Sequence, residues 1–70
     1  EIFIYALEHH AVHIVLIHNH PSGDTTPSEN DVEMTERVRN TGNIIGISLL
    51  DHIIIGDRRY TSFKEKGFLH

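Results

Sequence analysis

The sequence predicts an α/β fold, on the border of α+β, in which a mixed sheet is flanked by helices. An almost continuous apolar run at 14–17, rich in β-branched residues, is typical of a central strand covered on both faces. A helix start follows a loop between Pro21 and Pro27, and a second apolar segment at 48–55 predicts another strand. The 70 residues contain no repeat or linker, which indicates one domain.

The elements before the loop are expected to be a helix and a strand. Apolar residues recur at helical spacing between Glu1 and about His10, which predicts an amphipathic helix there. The strand is expected at 13–18. His9, His10 and His13 would then lie at the junction of helix and strand as solvated residues.

The main helix is expected to begin at Thr26. In this interpretation Thr26 is the N-cap, Pro27 occupies the first helical position, where its missing N–H costs nothing, and Glu29 completes a capping box. The helix would run to about residue 40 or 41 and stop at Gly42.

Two strands and a helical turn are expected after the main helix. The strand at 48–55 is followed by a turn at 56–58 and by a third strand at 60–63, which we expect to pair with it as a hairpin. Residues 64–69 then close in a short helical turn.

Composition restricts the classes of function. The net charge is −4 with six Lys and Arg residues, whereas nucleic-acid-binding domains usually present a basic face, so charge does not support a nucleic acid partner. The absence of Cys excludes disulfides and thiolate metal sites. The sequence contains neither an apolar run of about 18 residues nor a signal-peptide pattern, so we expect no membrane partner and a cytoplasmic location.

A candidate metal site lies between His18 and Asp31. His18 and His20 are two residues apart, so in a strand their side chains project from the same face. Ser28 and Asp31 are three apart and share one face of the predicted helix. The loop between the two pairs is short enough to fold that helix face over the imidazoles. The four side chains can therefore converge on one point.

These side chains are suited to catalysis with zinc. Two imidazole nitrogens and one carboxylate oxygen suit Zn²⁺, one ion per chain, and three protein ligands leave the fourth tetrahedral position open. Zinc lowers the pKa of bound water from about 15.7 to roughly 7, which makes hydroxide available at neutral pH. Ser28 could donate a hydrogen bond to the oxyanion that forms when hydroxide attacks a carbonyl.

The pattern H-x-H-P-x6-S-x2-D resembles the JAB/JAMM (MPN) metalloprotease superfamily and, within it, the RadC-like proteins. The segments Leu49-Leu50-Asp51-His52 and 60–67 add to the resemblance, which covers nearly the whole chain. It implies a JAMM/MPN-like, cytidine deaminase-like mixed sheet, a metallopeptidase activity on a protein or peptide substrate, and the traditional DNA-repair label of RadC. It also implies three zinc ligands and one residue that stabilises the tetrahedral intermediate. These are His18, His20 and Asp31, and Ser28.

One part of the superfamily signature is missing. The catalytic Glu of the superfamily lies on an earlier strand, several tens of residues before the first His, whereas seventeen residues precede His18 here. Glu1 and Glu8 both fall in the predicted helix, so we expect the general base to lie outside this chain. We interpret residues 1–70 as the C-terminal part of a single RadC-like JAB/MPN domain, inactive by itself.

Each candidate residue also has a purely structural interpretation. A lone H-x-H is most often two surface histidines, but Pro21, Ser28 and Asp31 at the family spacing favour the metal site. Ser28 could be only a residue of the first helical turn, and Asp31 could serve only the helix dipole. For Asp24 we prefer the interpretation as a turn residue.

Asp51 and His52 are candidates for orienting the metal ligands through hydrogen bonds without binding the metal themselves. Carboxylates and histidines often orient metal ligands in this way. A strand end could equally hold both residues for packing or for contact with solvent, and the sequence does not separate the two interpretations.

The leading hypothesis for function is a zinc-dependent hydrolase in which bound water attacks a peptide or isopeptide carbonyl. One alternative is a metal-dependent nuclease or another non-peptidase hydrolase. His18-Asn19-His20 invites comparison with HNH nucleases, but there the three residues are dispersed over a ββα fold. The other alternative is a non-catalytic MPN-type interaction module, although modules of this kind lose ligands that this chain retains.

Overall fold

A computed structural model of the chain describes residues 2–8 and 12–69. Within these residues it has a four-stranded mixed sheet and one α-helix, which confirms the predicted fold class. The elements are β1 (Ile2–Glu8), β2 (Val12–Asn19), α1 (Glu29–Ile45), β3 (Ile47–Ile55) and β4 (Tyr60–Ser62). The strands lie side by side in the order β1-β2-β3-β4. Within the described residues no helix is long and apolar enough to cross a membrane.

A parallel strand pair connected by α1 forms the centre of the fold. β2 runs parallel to β3, with Leu16 opposite His52 and His18 opposite Ile54, while β1 and β4 pair antiparallel at the two edges. Parallel neighbours need a crossover connection, and α1 supplies it. The register shifts between Ile14 and Val15, where β3 accommodates an extra residue.

The core lies between α1 and one face of the sheet. Its buried apolar side chains are Leu16, Leu49, Ile54, Phe63 and Leu69. The helix contributes partly buried Val32, Met34 and Val38, while its most buried positions are Asp31, Thr35 and Gly42. These three follow the three-to-four-residue spacing of one helix face. Polar groups of α1 are therefore pressed against the sheet together with apolar ones.

The first element is a strand, and the predicted helix from Glu1 to His10 is wrong. β1 pairs antiparallel with β2, from Ile2 opposite His18 to Glu8 opposite Val12. Residues 2–5 are β-branched or aromatic, which favours a strand, and their backbone groups form hydrogen bonds with β2. The apolar side chains at helical spacing are exposed, so the spacing contributes no buried surface that would favour a helix. Glu1, His9 and His10 lie outside the described residues.

The main helix starts and stops later than expected. Its N-cap is Ser28 instead of Thr26, and it continues past Gly42 to Ile45, where Gly46 adopts a left-handed φ of 81° as the C-cap. Gly42 lacks a side chain for another reason. A Cβ built at position 42 would lie 2.4 Å from the carbonyl oxygen of Ile47, so this glycine permits close approach of the helix to β3.

The C-terminal elements agree with the prediction. β3 covers Ile47–Ile55 and β4 covers Tyr60–Ser62, paired as an antiparallel hairpin. The backbone turns at 63–67, with the Phe68 amide donating to the Phe63 carbonyl over 2.9 Å. This turn places Leu69 in the core.

Replacing Gly42 with Ala is expected to lower the free energy of unfolding by about 1–3 kcal/mol, the usual cost of overpacking. Helix propensity alone predicts the opposite sign, because Ala is about 1 kcal/mol better than Gly in a helix interior. Urea unfolding followed by circular dichroism measures the difference. Asn43→Ala, on the exposed side of the same turn, is the control and should be neutral or slightly stabilising. Equal stability of Gly42→Ala and the wild type would contradict the close approach.

Candidate metal centre

The candidate metal centre forms where β2 ends and α1 begins. His18 is the penultimate residue of β2, and His20 follows the strand on the same side. Asp31 lies in the first turn of α1 and is only 5% exposed. Strand alternation and the crossover helix thus bring together the three residues predicted from the sequence, and each offers a ligand atom within 4.8 Å of the other two.

The separations between these side chains suit one small cation. His18 Nδ1 lies 3.2 Å from Asp31 Oδ1, and His20 Nε2 lies 3.4 Å from Asp31 Oδ2. A tetrahedral ion with bonds of about 2.0–2.1 Å holds its ligand atoms roughly 3.4 Å apart. Each imidazole nitrogen therefore lies at about this distance from one oxygen of Asp31, and one ligand atom from each of the three residues fits within 4.8 Å.

A hydrogen bond to the loop determines which nitrogen of His20 can bind a metal. His20 Nδ1 lies 2.8 Å from the carbonyl oxygen of Asp24. A carbonyl only accepts, so Nδ1 carries the proton and donates it, and the lone pair of the neutral ring is on Nε2, facing Asp31. Metal-binding histidines commonly have their second nitrogen held in this way.

Asp24 itself is held in a turn, as the sequence analysis preferred. The Thr26 amide donates to the Asp24 carboxylate over 3.0 Å, and this hydrogen bond holds the pKa of Asp24 below its usual range. This turn places the Asp24 carbonyl within hydrogen-bond distance of His20.

The ring of His18 has an unpartnered nitrogen at the centre of the cluster. His18 Nδ1 is buried and makes no hydrogen bond, although Asp31 Oδ1 lies 3.2 Å away. Leaving a buried polar atom without a partner costs free energy. A metal ion bound by His18, His20 and Asp31 would give His18 Nδ1 a partner and would lie beside the Asp31 carboxylate. The residues present therefore fit a metal.

Reciprocal hydrogen bonds hold Asp31 in place. The Ser28 hydroxyl accepts from the Asp31 amide over 3.1 Å, and the Ser28 amide donates to Asp31 Oδ2 over 2.9 Å, which together form a capping box. Burial by itself would raise the pKa of Asp31, but the Ser28 hydrogen bonds and the imidazoles of His18 and His20 outweigh it. The net pKa lies below the ordinary value, so the carboxylate is ionised and ready to ligate.

Ser28 is placed by its capping role and remains exposed beside the cluster. Its hydroxyl oxygen accepts from the Asp31 amide, which leaves the hydroxyl proton free to donate to another group. The geometry allows the predicted contact with an oxyanion. That catalytic role stays a prediction.

The structure separates the two residues predicted to support the ligands. Asp51 and His52 are consecutive in β3 and project from opposite faces of the sheet. The Asp51 carboxylate accepts from the Ser62 hydroxyl and from the Lys64 amide, so it fixes the turn after β4 and does not reach the metal ligands. His52 instead points into the core beneath the cluster, where it is fully buried. Strand alternation is the physical reason that one pair of neighbours has two different environments.

Thr35 lies next to the site, and the sequence analysis assigned it no part there. It is 2% exposed, and its hydroxyl lies 2.7 Å from the Asp31 carbonyl and 2.5 Å from His52 Nδ1. A buried Thr four residues after a ligand, on the same helix face, was the available signal. Its partner on β3 depends on the register of the parallel strands, which local sequence does not show.

Glu8 does not reach the cluster. It pairs with Val12, at the opposite end of the β1–β2 ladder from Ile2 and His18. Glu8 lies six positions along the strand from Ile2, about 20 Å at the usual rise per residue. Within the described residues the metal-binding group consists of His18, His20 and Asp31. The absence of the general base from this chain stays a prediction.

Comparison with known proteins agrees with this geometry. The family model described as the RadC-like JAB domain matches residues 1–68. The chain belongs to the RadC-like JAB domain family. Membership of the JAB superfamily supports a metal-dependent hydrolase in general terms.

Relatives of this RadC-like chain are longer proteins. It is 59% identical over 68 residues to UPF0758 protein TTE0897 of Caldanaerobacter subterraneus, with 97% of the chain and 29% of the relative covered. It is 55% identical over 69 residues to UPF0758 protein BH3032 of Halalkalibacterium halodurans, and 52% identical over 69 residues to UPF0758 protein YsxA of Bacillus subtilis. In both cases 99% of the chain and 30% of the relative are covered. The chain thus spans about a third of the length of these relatives.

The capping role of Ser28 predicts different stabilities for two substitutions. Ser28→Ala removes the side-chain acceptor of the Asp31 amide and should cost about 1 kcal/mol of unfolding free energy, whereas Ser28→Gly, tolerated at N-caps, should cost only a few tenths (about 0.3 kcal/mol). Urea unfolding of metal-free protein distinguishes them, with Ser22→Ala in the exposed loop as the control. If Ala and Gly at position 28 were equally costly, the N-cap assignment would be wrong.

The environment of His52 predicts a pH-dependent stability in metal-free protein. Burial lowers the pKa of His52 from its ordinary 6.5, against the opposing effect of the Asp31 carboxylate. Below pH 6.5 the unfolded chain takes up a proton at His52, whereas the folded protein does not. The contribution of neutral His52 to the free energy of unfolding is therefore fully present above pH 6.5 and is lost as the pH falls toward the folded-state pKa.

The matched variant for this effect is His52→Leu. Between about pH 7 and pH 5, the unfolding free energy of His52→Leu should fall less than that of the wild type, because one group that protonates preferentially in the unfolded chain has been removed. The measurement is urea unfolding at several pH values with a chelator present. Parallel curves for the two proteins would count against a neutral buried His52.

Proposed function

We propose that this chain is the metal-binding part of a zinc-dependent hydrolase that cleaves peptide or isopeptide bonds in a protein substrate. The observation that carries the proposal is the convergence of one ligand atom from each of His18, His20 and Asp31. The hydrogen bond to the Asp24 carbonyl leaves the lone pair of His20 on Nε2, His18 Nδ1 has no hydrogen-bond partner, and the Asp31 carboxylate is ionised. Membership of the JAB family supports the same class of chemistry. A cytoplasmic location is part of the proposal.

His18, His20 and Asp31 would hold the ion. Zinc at such a site supplies Lewis acidity and makes water a nucleophile at neutral pH. Two imidazoles and one carboxylate are the ligand set of several zinc hydrolases and leave a tetrahedral position unfilled by protein. The Asp24 carbonyl keeps the proton of His20 on Nδ1 and so preserves the ligating lone pair.

Ser28 would stabilise the negative charge that develops on the substrate carbonyl. Its hydroxyl proton is free, its oxygen is anchored by the Asp31 amide, and the side chain is exposed to an incoming substrate. A preorganised donor of this kind contributes about 2.7–4 kcal/mol to lowering the barrier. The general base would come from outside this chain.

Metal content tests the proposal first. Full-length protein should contain close to one zinc per chain, and the His18→Ala/His20→Ala variant should contain none, because two of three ligands are lost. Elemental analysis after gel filtration provides the measurement. His13→Ala removes an imidazole of β2 that is not in the cluster and should leave the zinc content unchanged. A wild-type protein that contains no zinc, or a His18→Ala/His20→Ala variant that retains it, would contradict the proposal.

Activity then separates the classes of function. With peptide and isopeptide substrates, Ser28→Gly should lower kcat by about 10²–10³-fold at unchanged zinc content, because the transition-state donor is lost while the backbone amide at position 28 still donates to the Asp31 carboxylate and Gly is tolerated at the N-cap. Nuclease activity that persists in His20→Ala would instead favour a different site and reaction. Full zinc occupancy with no hydrolysis of any substrate would favour a non-catalytic interaction module.

A further inference from the structure

A buried histidine lies beneath the metal centre without serving as one of its ligands. His52 is 0% exposed, and its Nε2 makes no hydrogen bond. An apolar side chain of similar size would fill the same place without the cost of burying a polar atom that has no partner. Packing alone therefore does not explain an imidazole at this position.

The Thr35 hydroxyl connects His52 to the metal-binding helix turn. It donates to the Asp31 carbonyl over 2.7 Å, which uses its only proton. The contact of 2.5 Å between Thr35 Oγ1 and His52 Nδ1 then requires His52 to donate, so the proton of the neutral ring is on Nδ1. A buried chain of hydrogen bonds runs from His52 through Thr35 to Asp31.

The ring of His52 is close to two other rings. It stacks on Phe63, with centroids 4.5 Å apart and planes at 26°. The ring of His18 is nearly parallel to it, with centroids 6.1 Å apart and planes at 19°. The His52 ring thus faces a ligand from β2 while its Nδ1 is bonded to the helix that carries the ligand Asp31.

We propose that Thr35 and His52 act as positioning residues that fix the Asp31 turn of α1 and the ring of His18 relative to each other, and so prepare the site for metal. Neither residue belongs to the candidate metal-binding group of His18, His20 and Asp31. Through this pair, β3 fixes the positions of β2 and α1, the two elements that carry the candidate ligands. This inference rests on the proposed metal site, and it assigns a task to two buried polar residues that the hydrolytic reaction does not use.

Metal affinity, measured separately from stability, tests the proposal. The probe is Zn²⁺ in competition with a chromophoric chelator, on full-length protein, with the folded fraction determined in parallel. Thr35→Val keeps the shape of the side chain but removes the hydroxyl, and it should weaken zinc binding about 10–100-fold, the usual effect of losing a residue that supports a metal ligand. Thr35→Ser retains the hydroxyl and should bind zinc nearly as the wild type does.

His52→Leu provides a second test that does not depend on a folding defect. It removes a buried polar group, so the protein should remain folded, while zinc affinity should fall about 10–100-fold. Cobalt substituted for zinc should show altered visible absorption bands in the same variant, because the ligand geometry is less constrained. Ser62→Ala is the matched control: it removes a buried hydroxyl whose partner, Asp51, lies on the opposite face, so it should lower stability without changing zinc affinity.

The outcomes distinguish this proposal from the proposed function. If the wild type binds zinc and both Thr35→Val and His52→Leu bind it equally well, the positioning role is overturned and the metal site stands. If stability falls in these variants with zinc affinity unchanged, the pair is merely structural and the proposal is again overturned. A wild-type protein that binds no zinc overturns the proposed function and this inference together.

Discussion

The reciprocal hydrogen bonds between Ser28 and Asp31 are the constraint on which the candidate site depends. They begin α1, and they also hold the Asp31 carboxylate so that its two oxygens face His18 and His20. One local motif thus serves secondary structure and ligand geometry at once. A helix that began two residues earlier, at Thr26, would leave the Asp31 carboxylate without the backbone partner that orients it.

Polar contacts next to the candidate ligands determine how these side chains are oriented. The Asp24 carbonyl selects the tautomer of His20, and the Thr35 hydroxyl lies between the Asp31 turn and His52. Both contacts come from groups that are neutral, so they orient the ligands without competing for the cation. The one fixed charge among the ligands is Asp31, whose low pKa keeps it ionised.

The convergence of His18, His20 and Asp31 could be predicted from the sequence because their geometry is local. His18 and His20 are two residues apart, and Asp31 lies in the first turn of the next helix. Backbone periodicity determines on which side such residues project. The helix start was misplaced because Thr26-x-x-Glu29 and Ser28-x-x-Asp31 are overlapping capping-box patterns, and only the fold selects between them. The residues at 2–7 satisfied a helical period, yet strand pairing with β2 decided their structure. Thr35 and His52 meet through the register of two parallel strands, which is a tertiary relation that no local pattern contains.

The three candidate ligands lie within residues 18–31, and this closeness along the chain affects how the molecule opens. The entropy cost of closing a loop increases with its length, so joining the end of β2 to the start of α1 costs less than joining elements that are distant in sequence. A bound ion would act there as a non-covalent clip against fraying of the helix start, and loss of the ion would be coupled to opening of that single junction. The far ends of β2 and α1 could then fluctuate without releasing it.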